Sequence, residues 1–280
     1  MNIRQALQDI QALGLDRLDA QMLVLLALER DPHDRAWLLS HDEDPVGPTA
    51  IEHLGRLKQR RLAGEPMAYL TGWQEFHGLR LAVDARVLVP RADTETLVEW
   101  ALDVLSAREP SMPPPKIADL GTGSGAIALA LAASRPDARV SAVDASSDAL
   151  AVATGNAQRL GLPVEFRCGA WFDPLSAQRF DLVVSNPPYV AQGDPHLSRL
   201  AHEPRTALVS GSDGLDDLRR IVADAPGHLL PAGWLLLEHG HDQAQAVRRL
   251  LHEAGFSAVN SRTDLAGIER CSGGQWTAGG

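Results

Sequence analysis

Up to about residue 63, apolar residues return at helical spacing. Ile3, Ala6, Leu7, Ile10 and Leu13 form one set; Leu18, Met22, Leu25 and Leu26 a second; Ile51, Leu54, Leu57 and Leu62 a third. Each set lies along one face of a short helix, and turn signals such as DPHD and DEDPVGP separate them. The period changes at MAYLTGWQEFHGLRLAVDARVLVPRADTE, which predicts extended segments, with Gly72 and Gly78 suited to a hairpin. Asp93 is placed to cap a following helix, Thr94 to about Ala107, with Glu95 in its first turn. The proline-rich REPSMPPPK then reads as a linker.

Beyond the linker, strand and helix patterns alternate. KIADLGTGSGAIALALAAS reads strand, glycine turn, helix, and RVSAVDASSDALAVATGNAQRLG repeats the unit. VEFRCG, FDLVVSNPP and GWLLLEHG supply further short apolar strands. The economical solution is an α/β fold, a parallel sheet with helices on both faces, preceded by a small all-helical domain. The boundary is expected near residue 72, giving domains 1–72 and 73–280, with 73–115 as the hairpin, helix and linker leading in.

Composition narrows the function classes. At 280 residues and 45% apolar content the chain has enough material for a sizeable core. Its apolar runs are too short or too interrupted to span a bilayer, and the N-terminus lacks a basic flank leading into an apolar signal core, so the expectation is a cytoplasmic protein. A net charge of −10 and a pI near 5.4 argue against a surface built to hold phosphates, so no direct nucleic acid partner is expected. Cys168 and Cys271 have no disulfide or zinc spacing and are expected to be free buried thiols. EHGHD (238–242) and HDED (41–44) contain metal-ligand types, but both fall at predicted element ends where solvated polar residues are expected, so no metal is assigned.

The chemistry concentrates in two motifs. DLGTGSG, Asp119 to Gly125, joins a strand to a helix; its glycines let backbone approach a ligand, and the helix start offers unpaired N–H groups. Asp144 ends the next strand and can accept hydrogen bonds from ribose hydroxyls or cap the next helix. Together they indicate a nucleoside cofactor without saying which. The second motif, NPPY at 186–189, ends a buried strand on a carboxamide. An Asn there would ordinarily accept from the backbone N–H two residues on, but Pro188 has none and neither has Pro187. The Asn186 carboxamide is expected to stay unengaged, with Asn186 and nearby carbonyls forming acceptors for a substrate –NH₂ and Tyr189 offering a flat face for stacking.

These motifs resemble the class I S-adenosylmethionine-dependent methyltransferases that act on planar nitrogens. RLDAQMLVLLAL, GEPMAYLTGWQEFHGLRLAVDARVLVPRADTETLVE, GAWFDPL, DPHL, HEPRTALVSGSDGLDDLRRI and LLLEHG resemble the PrmC (HemK) family along nearly the whole chain. The resemblance implies a Rossmann-like methyltransferase sheet and methylation of the glutamine N5 in the Gly-Gly-Gln motif of peptide chain release factors. It implies that Gly121, Thr122, Gly123, Ser124 and Gly125 cradle S-adenosylmethionine, that Asp144 holds its ribose, and that Trp171 borders the adenosyl site. Asn186 would touch both cofactor and substrate, and Asn186, Pro187, Pro188 and Tyr189 would hold the glutamine amide, with Asn186, Pro187 and Tyr189 as the catalytic set. Residues 1–72 are expected to dock the protein substrate, and the enzyme to act as a monomer.

Ala92 stands where that family commonly has proline, and the run SRLAH between DPHL and EP is shorter than usual. The chain also carries its own Gly-Gly-Gln at 273–275, expected to be a strand and not a substrate loop. The rival readings are an adenine-N6 methyltransferase of DNA or RNA, a nicotinamide-dependent dehydrogenase, and a non-enzymatic nucleoside-binding module.

Overall fold

The computed structural model describes residues 1–109 and 111–277, and the chain divides into two units, Met1–Trp73 and Gln74–Gly280. The first unit is helical, and polar residues at the helix starts explain where several of its helices begin. Helix α1 (Ile3–Ala12) opens with a capping box in which the Asn2 side chain accepts from Gln5 N and the Gln5 side chain from Asn2 N. Asp16 and Asp34 cap α2 (Arg17–Ala27) and α3 (Arg35–Ser40), and α4 (Pro48–Leu62) begins on a proline whose missing N–H costs nothing there. Ile3, Ile10, Leu23, Leu38, Leu54 and Leu57 meet in one core. Leu13, Leu18, Ile51 and Leu62, which share the helical spacing, remain exposed.

Extended structure starts later than the sequence pattern predicts. Met67–Thr71 forms a further helix, α5, and Gly72 closes it in a left-handed conformation, φ +80°. Only Gly78 serves the hairpin, turning with His77 between β1 (Trp73–Phe76) and β2 (Leu79–Ala82).

In the second unit, Asp93 is no helix cap. A 3₁₀ turn over Ala92–Thr94 leads into α6 (Glu95–Ser106), Asp93 lies 3.6 Å from Arg270, and the Glu95 carboxylate accepts from His77 N at 2.9 Å. The local sequence offers a capping residue, but the 3₁₀ turn spends Asp93 inside its own turn. Pro110, in the linker, lies outside the described residues.

The chain then runs β3 (Lys116–Leu120), α7 (Ala126–Ser134), β4 (Arg139–Asp144), α8 (Ser147–Leu160), β5 (Val164–Cys168), β6 (Phe180–Ser185), α9 (Asp216–Asp224), β7 (Leu229–Glu238), α10 (Ala244–Glu253), β8 (Phe256–Thr263) and β9 (Glu269–Trp276). The strands form a seven-stranded sheet of order β5-β4-β3-β6-β7-β9-β8. The first five of these are parallel, and β9 runs antiparallel between β7 and β8. Apolar side chains of α6 and α7, such as Leu97, Leu105 and Leu129, pack on one face with Ile117 and Leu182. Those of α9 and α10, such as Leu218, Ile221 and Val247, pack on the other with Val183 and Leu235. This is the Rossmann-like arrangement, with helices on both faces of the sheet.

Gly273, Gly274 and Gln275 lie inside β9. A Cβ on Gly273 would fall 2.4 Å from Leu236 Cδ2, so the glycine serves sheet packing. Cys271 is buried as expected, but Cys168, at the end of edge strand β5, is exposed. Among the described residues no helix is long and apolar enough to cross a membrane.

Candidate active site

From β3 the chain steps to β4 on one side, and later returns through β6 on the other. The carboxyl ends of β3 and β6 therefore flank the point where strand order reverses, the usual ligand crevice of open α/β sheets. Leu120 pairs with Ser185, whose hydroxyl donates to Leu120 O at 2.6 Å, so the glycine loop and Asn186 leave the sheet side by side. Between them opens a cleft of about 390 Å³ lined by Gly121, Gly123, Asp144, Trp171, Asn186 and Pro188, among others.

One wall is mostly backbone. Gly121 has φ +73°, and a Cβ there would come within 3.3 Å of the Trp171 ring, so a side chain would have to displace that ring. Asp144 joins the two loops that follow β3 and β4: its Oδ2 accepts from Gly123 N and its Oδ1 from Ser146 N, both at 2.8 Å. It does not cap α8; Ser146 does, its hydroxyl accepting from Ala149 N. Each carboxylate oxygen can accept more than one hydrogen bond, so both keep capacity for a ligand hydroxyl. Trp171 lies against the cleft with φ +50°, uncommon for a bulky residue, and packs its other side on the core.

Thr122, Ser124 and Gly125 do not line the cleft. The Thr122 hydroxyl donates to Asp119 Oδ2 at 2.6 Å, and Ala128 N donates to the same oxygen at 3.1 Å. Ser124 O accepts from Asn156 Nδ2, and Gly125 packs against Leu129 and Ala153 at the start of α7. Burial pushes the Asp119 carboxyl up to about 7.

The opposite wall is built from side chains. Asn186 forms no Asx-turn, yet its carboxamide is not unengaged as the two prolines suggest: Nδ2 donates to the buried Thr94 hydroxyl at 3.2 Å. Among the described residues no donor reaches Oδ1. Pro188 lines the cleft, while Pro187 is buried behind it and Tyr189 is not on the wall. Tyr189 packs on the core and its hydroxyl donates to Glu238 Oε1 at 3.3 Å. Burial raises both the Tyr189 hydroxyl and the Glu238 carboxyl, the latter to about 7.

Glu238 and His239 are thus not the solvated pair expected at a strand end; they are 2% and 0% exposed. Tyr189, on the loop that follows β6, reaches Glu238 at the end of the parallel strand β7. His239 Nε2 meets Ser272 Oγ at 2.8 Å, and burial lowers its pKa. The sequence reading missed Thr94 and Glu238. It also missed Glu203, which accepts from Val89 N and pairs with Arg91, tying together two loops near the cleft. The one signal available was that RADTE, HEPR and LLLEHG place polar residues beside strongly apolar runs.

The family profile described as PrmC N-terminal domain matches residues 2–72, and that described as Methyltransferase small domain matches 101–213. The chain is 54% identical over 264 residues to the release factor glutamine methyltransferase of Bordetella pertussis, covering 93% of this chain and 95% of the relative. It is 50% identical to that of Xylella fastidiosa strain Temecula1, covering 93% and 94%. The chain belongs to the release factor glutamine methyltransferase family. The fold is shared more widely: a Pyrococcus furiosus methyltransferase superposes with a TM-score of 0.54 at 16% identity, covering 80% of this chain and 99% of that one. The hMettl16 catalytic domain in complex with an RNA hairpin superposes at 0.57 and 16%, covering 83% and 82%.

This methyltransferase takes its methyl group from S-adenosylmethionine, and the cleft suits that group. Its volume falls in the range of small-molecule sites, and the bare backbone at Gly121 and Gly123 leaves room that a Cβ would fill. Asp144 is an acceptor-only group at the end of the second strand, where a ribose is held in such sheets. Trp171 supplies a flat apolar surface beside them.

Proposed function

We infer that the protein methylates the side-chain amide nitrogen of the glutamine in the Gly-Gly-Gln motif of peptide chain release factors. It does so in the cytoplasm, as a monomer and without contacting nucleic acid. The observation that carries this reading is Asn186 Oδ1, an acceptor with no partner among the described residues, at the edge of the cleft that suits the cofactor, its amide end held by Thr94.

Bound S-adenosylmethionine supplies a methyl group made electrophilic by its sulfonium. The amide nitrogen it must reach is a weak nucleophile because its lone pair is delocalised. Asn186 Oδ1 accepts one hydrogen of the substrate –NH₂ and so turns the nitrogen toward the cofactor. As positive charge grows on that nitrogen, the same acceptor binds its hydrogen more strongly, which is where rate is gained. Pro187 and Pro188 keep the loop from rearranging to satisfy Oδ1 internally, so the acceptor is oriented before substrate arrives. The proton lost from nitrogen passes to water after transfer. Residues 1–72 dock the folded factor, because a glutamine on a loop reaches the cleft in register only if its carrier is held.

The deciding experiment offers labelled S-adenosylmethionine with an intact release factor, a short Gly-Gly-Gln peptide, or adenine-containing oligonucleotides. Label should appear on the glutamine of the factor, with kcat/KM for the peptide lower by on the order of tenfold or more once docking is lost. Transfer to oligonucleotide and not to the factor would overturn the reading. Equal efficiency on factor and peptide would remove the docking role.

A further inference from the structure

Between β2 and the turn that carries Thr94, residues 83–91 form neither helix nor strand. Val83, Val87 and Val89 are nevertheless buried, and Arg86, Val87 and Leu88 line the cleft. A stretch outside helix and strand has no backbone ladder of its own, so partners elsewhere have to fix it. Asn156, on α8, holds its first end: Oδ1 accepts from Ala82 N at 2.7 Å, while Nδ2 donates to Ala82 O at 3.0 Å and to Ser124 O, on the glycine loop, at 2.9 Å. Glu203 holds the other end. Its Oε2 accepts from Val89 N at 3.2 Å, and its Oε1 pairs with the Arg91 guanidinium.

The Glu203 side chain is 3% exposed and that of Arg91 42%. The Val89 N–H needs only an acceptor, which a carboxamide would supply without burying a charge. Packing alone therefore gives no reason for a carboxylate here. The charge serves to grip Arg91.

Both sides of that grip lead to Asn186. Arg91 O accepts from Thr94 N at 3.1 Å, and Thr94 Oγ accepts from Asn186 Nδ2 at 3.2 Å. On the other side, the segment that follows Glu203 is bonded to the residue that follows the NPPY motif: Val190 N donates to Leu208 O at 2.8 Å, and Ser210 N to Val190 O at 3.0 Å. The contacts form a closed circuit, from Asn186 through Thr94, Arg91 and Glu203 to residues 208–210 and back through Val190. Pro204, Thr206 and Ala207, just beyond Glu203, line the same cleft as residues 86–88.

We propose that Glu203 is a positioning residue for methyl transfer, closing the circuit that keeps Thr94 behind Asn186 and holds residues 86–88 and 204–207 in place along the cofactor cleft. This deepens, and rests on, the amide-transfer reading above. Without the grip on Arg91, the stretch 83–91 is pinned firmly at its Asn156 end alone. Thr94 then shifts behind Asn186, whose carboxamide loses its fixed pose, and the loosened lining has to be ordered each time S-adenosylmethionine binds.

The test uses Glu203→Gln, Arg91→Met, Arg91→Lys and the double variant of the first two, with an intact release factor as substrate. Glu203→Gln keeps shape and one acceptor but not the charge; kcat should fall on the order of tenfold, and S-adenosylmethionine should bind severalfold more weakly by calorimetry. Arg91→Met, at the more exposed partner, should do the same, and Arg91→Lys, which restores a cation, should recover most of both. Because the two side chains make one contact, the double variant should lose no more than Glu203→Gln alone. The side-chain ¹⁵N–H₂ signal of Asn186 should shift in Glu203→Gln and Arg91→Met and return toward the parent position in Arg91→Lys. A merely structural glutamate would lower the thermal midpoint and leave kcat, cofactor affinity and the Asn186 signal of the folded protein unchanged.

Parent kcat and cofactor affinity in the folded variants, losses that multiply in the double variant, or an unmoved Asn186 signal would each overturn the proposal. Should Glu203→Gln not fold, the two Arg91 variants decide it. Should the parent not methylate glutamine at all, the functional reading falls, and the Asn186 signal with the cofactor affinities still decides the role of Glu203.

Discussion

The glycine wall of the cleft is backbone supplied by one stretch of chain, whereas the Asn186 wall is a side chain held from behind by a residue far along the chain. Asp144 holds Gly123 N across 21 residues of sequence, within one strand-helix-strand unit. Asn186 reaches Thr94 across 92 residues, and Tyr189 reaches Glu238 across 49. The first wall owes its shape to glycine geometry and to one carboxylate bridging two loops. The second depends on sheet register, which sets Ser185 beside Leu237 and so brings the ends of β6 and β7 together. A surface that binds a constant cofactor can be built locally. One that orients a reacting group needs support from behind, because a flexible side chain holds one pose only when its neighbours exclude the others.

If this division is right, variants on the two walls fail differently. Asn186→Ala should give the largest effect, a fall in kcat of on the order of a hundredfold or more, with fold and S-adenosylmethionine binding kept. Stopped turnover assays and calorimetry on one preparation check it, and weakened cofactor binding would show that the walls are not separate. Asp144→Ala should do the converse. Removing the carboxylate should weaken S-adenosylmethionine binding by about 1.5 to 3 kcal/mol, the scale of hydrogen bonds to a charged group, and unchanged affinity by calorimetry would sink the assignment.

Gly121→Ala tests the backbone wall more gently. It places a Cβ 3.3 Å from the Trp171 ring at φ +73°, so stability should drop by about 1 to 2 kcal/mol from the left-handed conformation. Cofactor affinity should drop with it as Trp171 is displaced, and denaturant melts beside titrations would show whether the two losses travel together.

The smallest effect sharpens the comparison most. Pro188→Ala restores the N–H two residues after Asn186, and Oδ1, which has no partner among the described residues, is the atom that an Asx-turn would capture. Turnover should fall severalfold while stability changes by only about 0.4 to 1 kcal/mol. Parent turnover in that variant would mean that Thr94 alone keeps the carboxamide in place.

Much of this was legible in the chain. Apolar runs beyond the linker announced strands β3 to β7 in the order found but not the antiparallel pairing of β8 and β9, and DLGTGSG, Asp144 and NPPY stood at the ends of strands β3, β4 and β6. Misreadings came where a local signal had two outlets. MAYLT carries apolar residues that suit a strand or a helix, and the turn of helix won because Gly72 could close it. Asp93 looked like a cap, but the 3₁₀ turn placed Arg91 at its start instead. Asn186 looked unengaged because the prolines speak only of neighbours in sequence, and Thr94 is not one.

What the sequence determined by itself is what short-range physics controls: helix periods and caps, left-handed glycines, missing proline N–H groups, and the two motifs that name the chemistry. What only the tertiary structure decided is which polar groups lose their water and which partner each then finds. LLLEHG reads as a strand running out into solvent, yet its carboxyl is buried at the end of β7 and meets the Tyr189 hydroxyl from the loop after β6. Burial and hydrogen-bond direction depend on atoms brought together from far along the chain, so no window of sequence contains them.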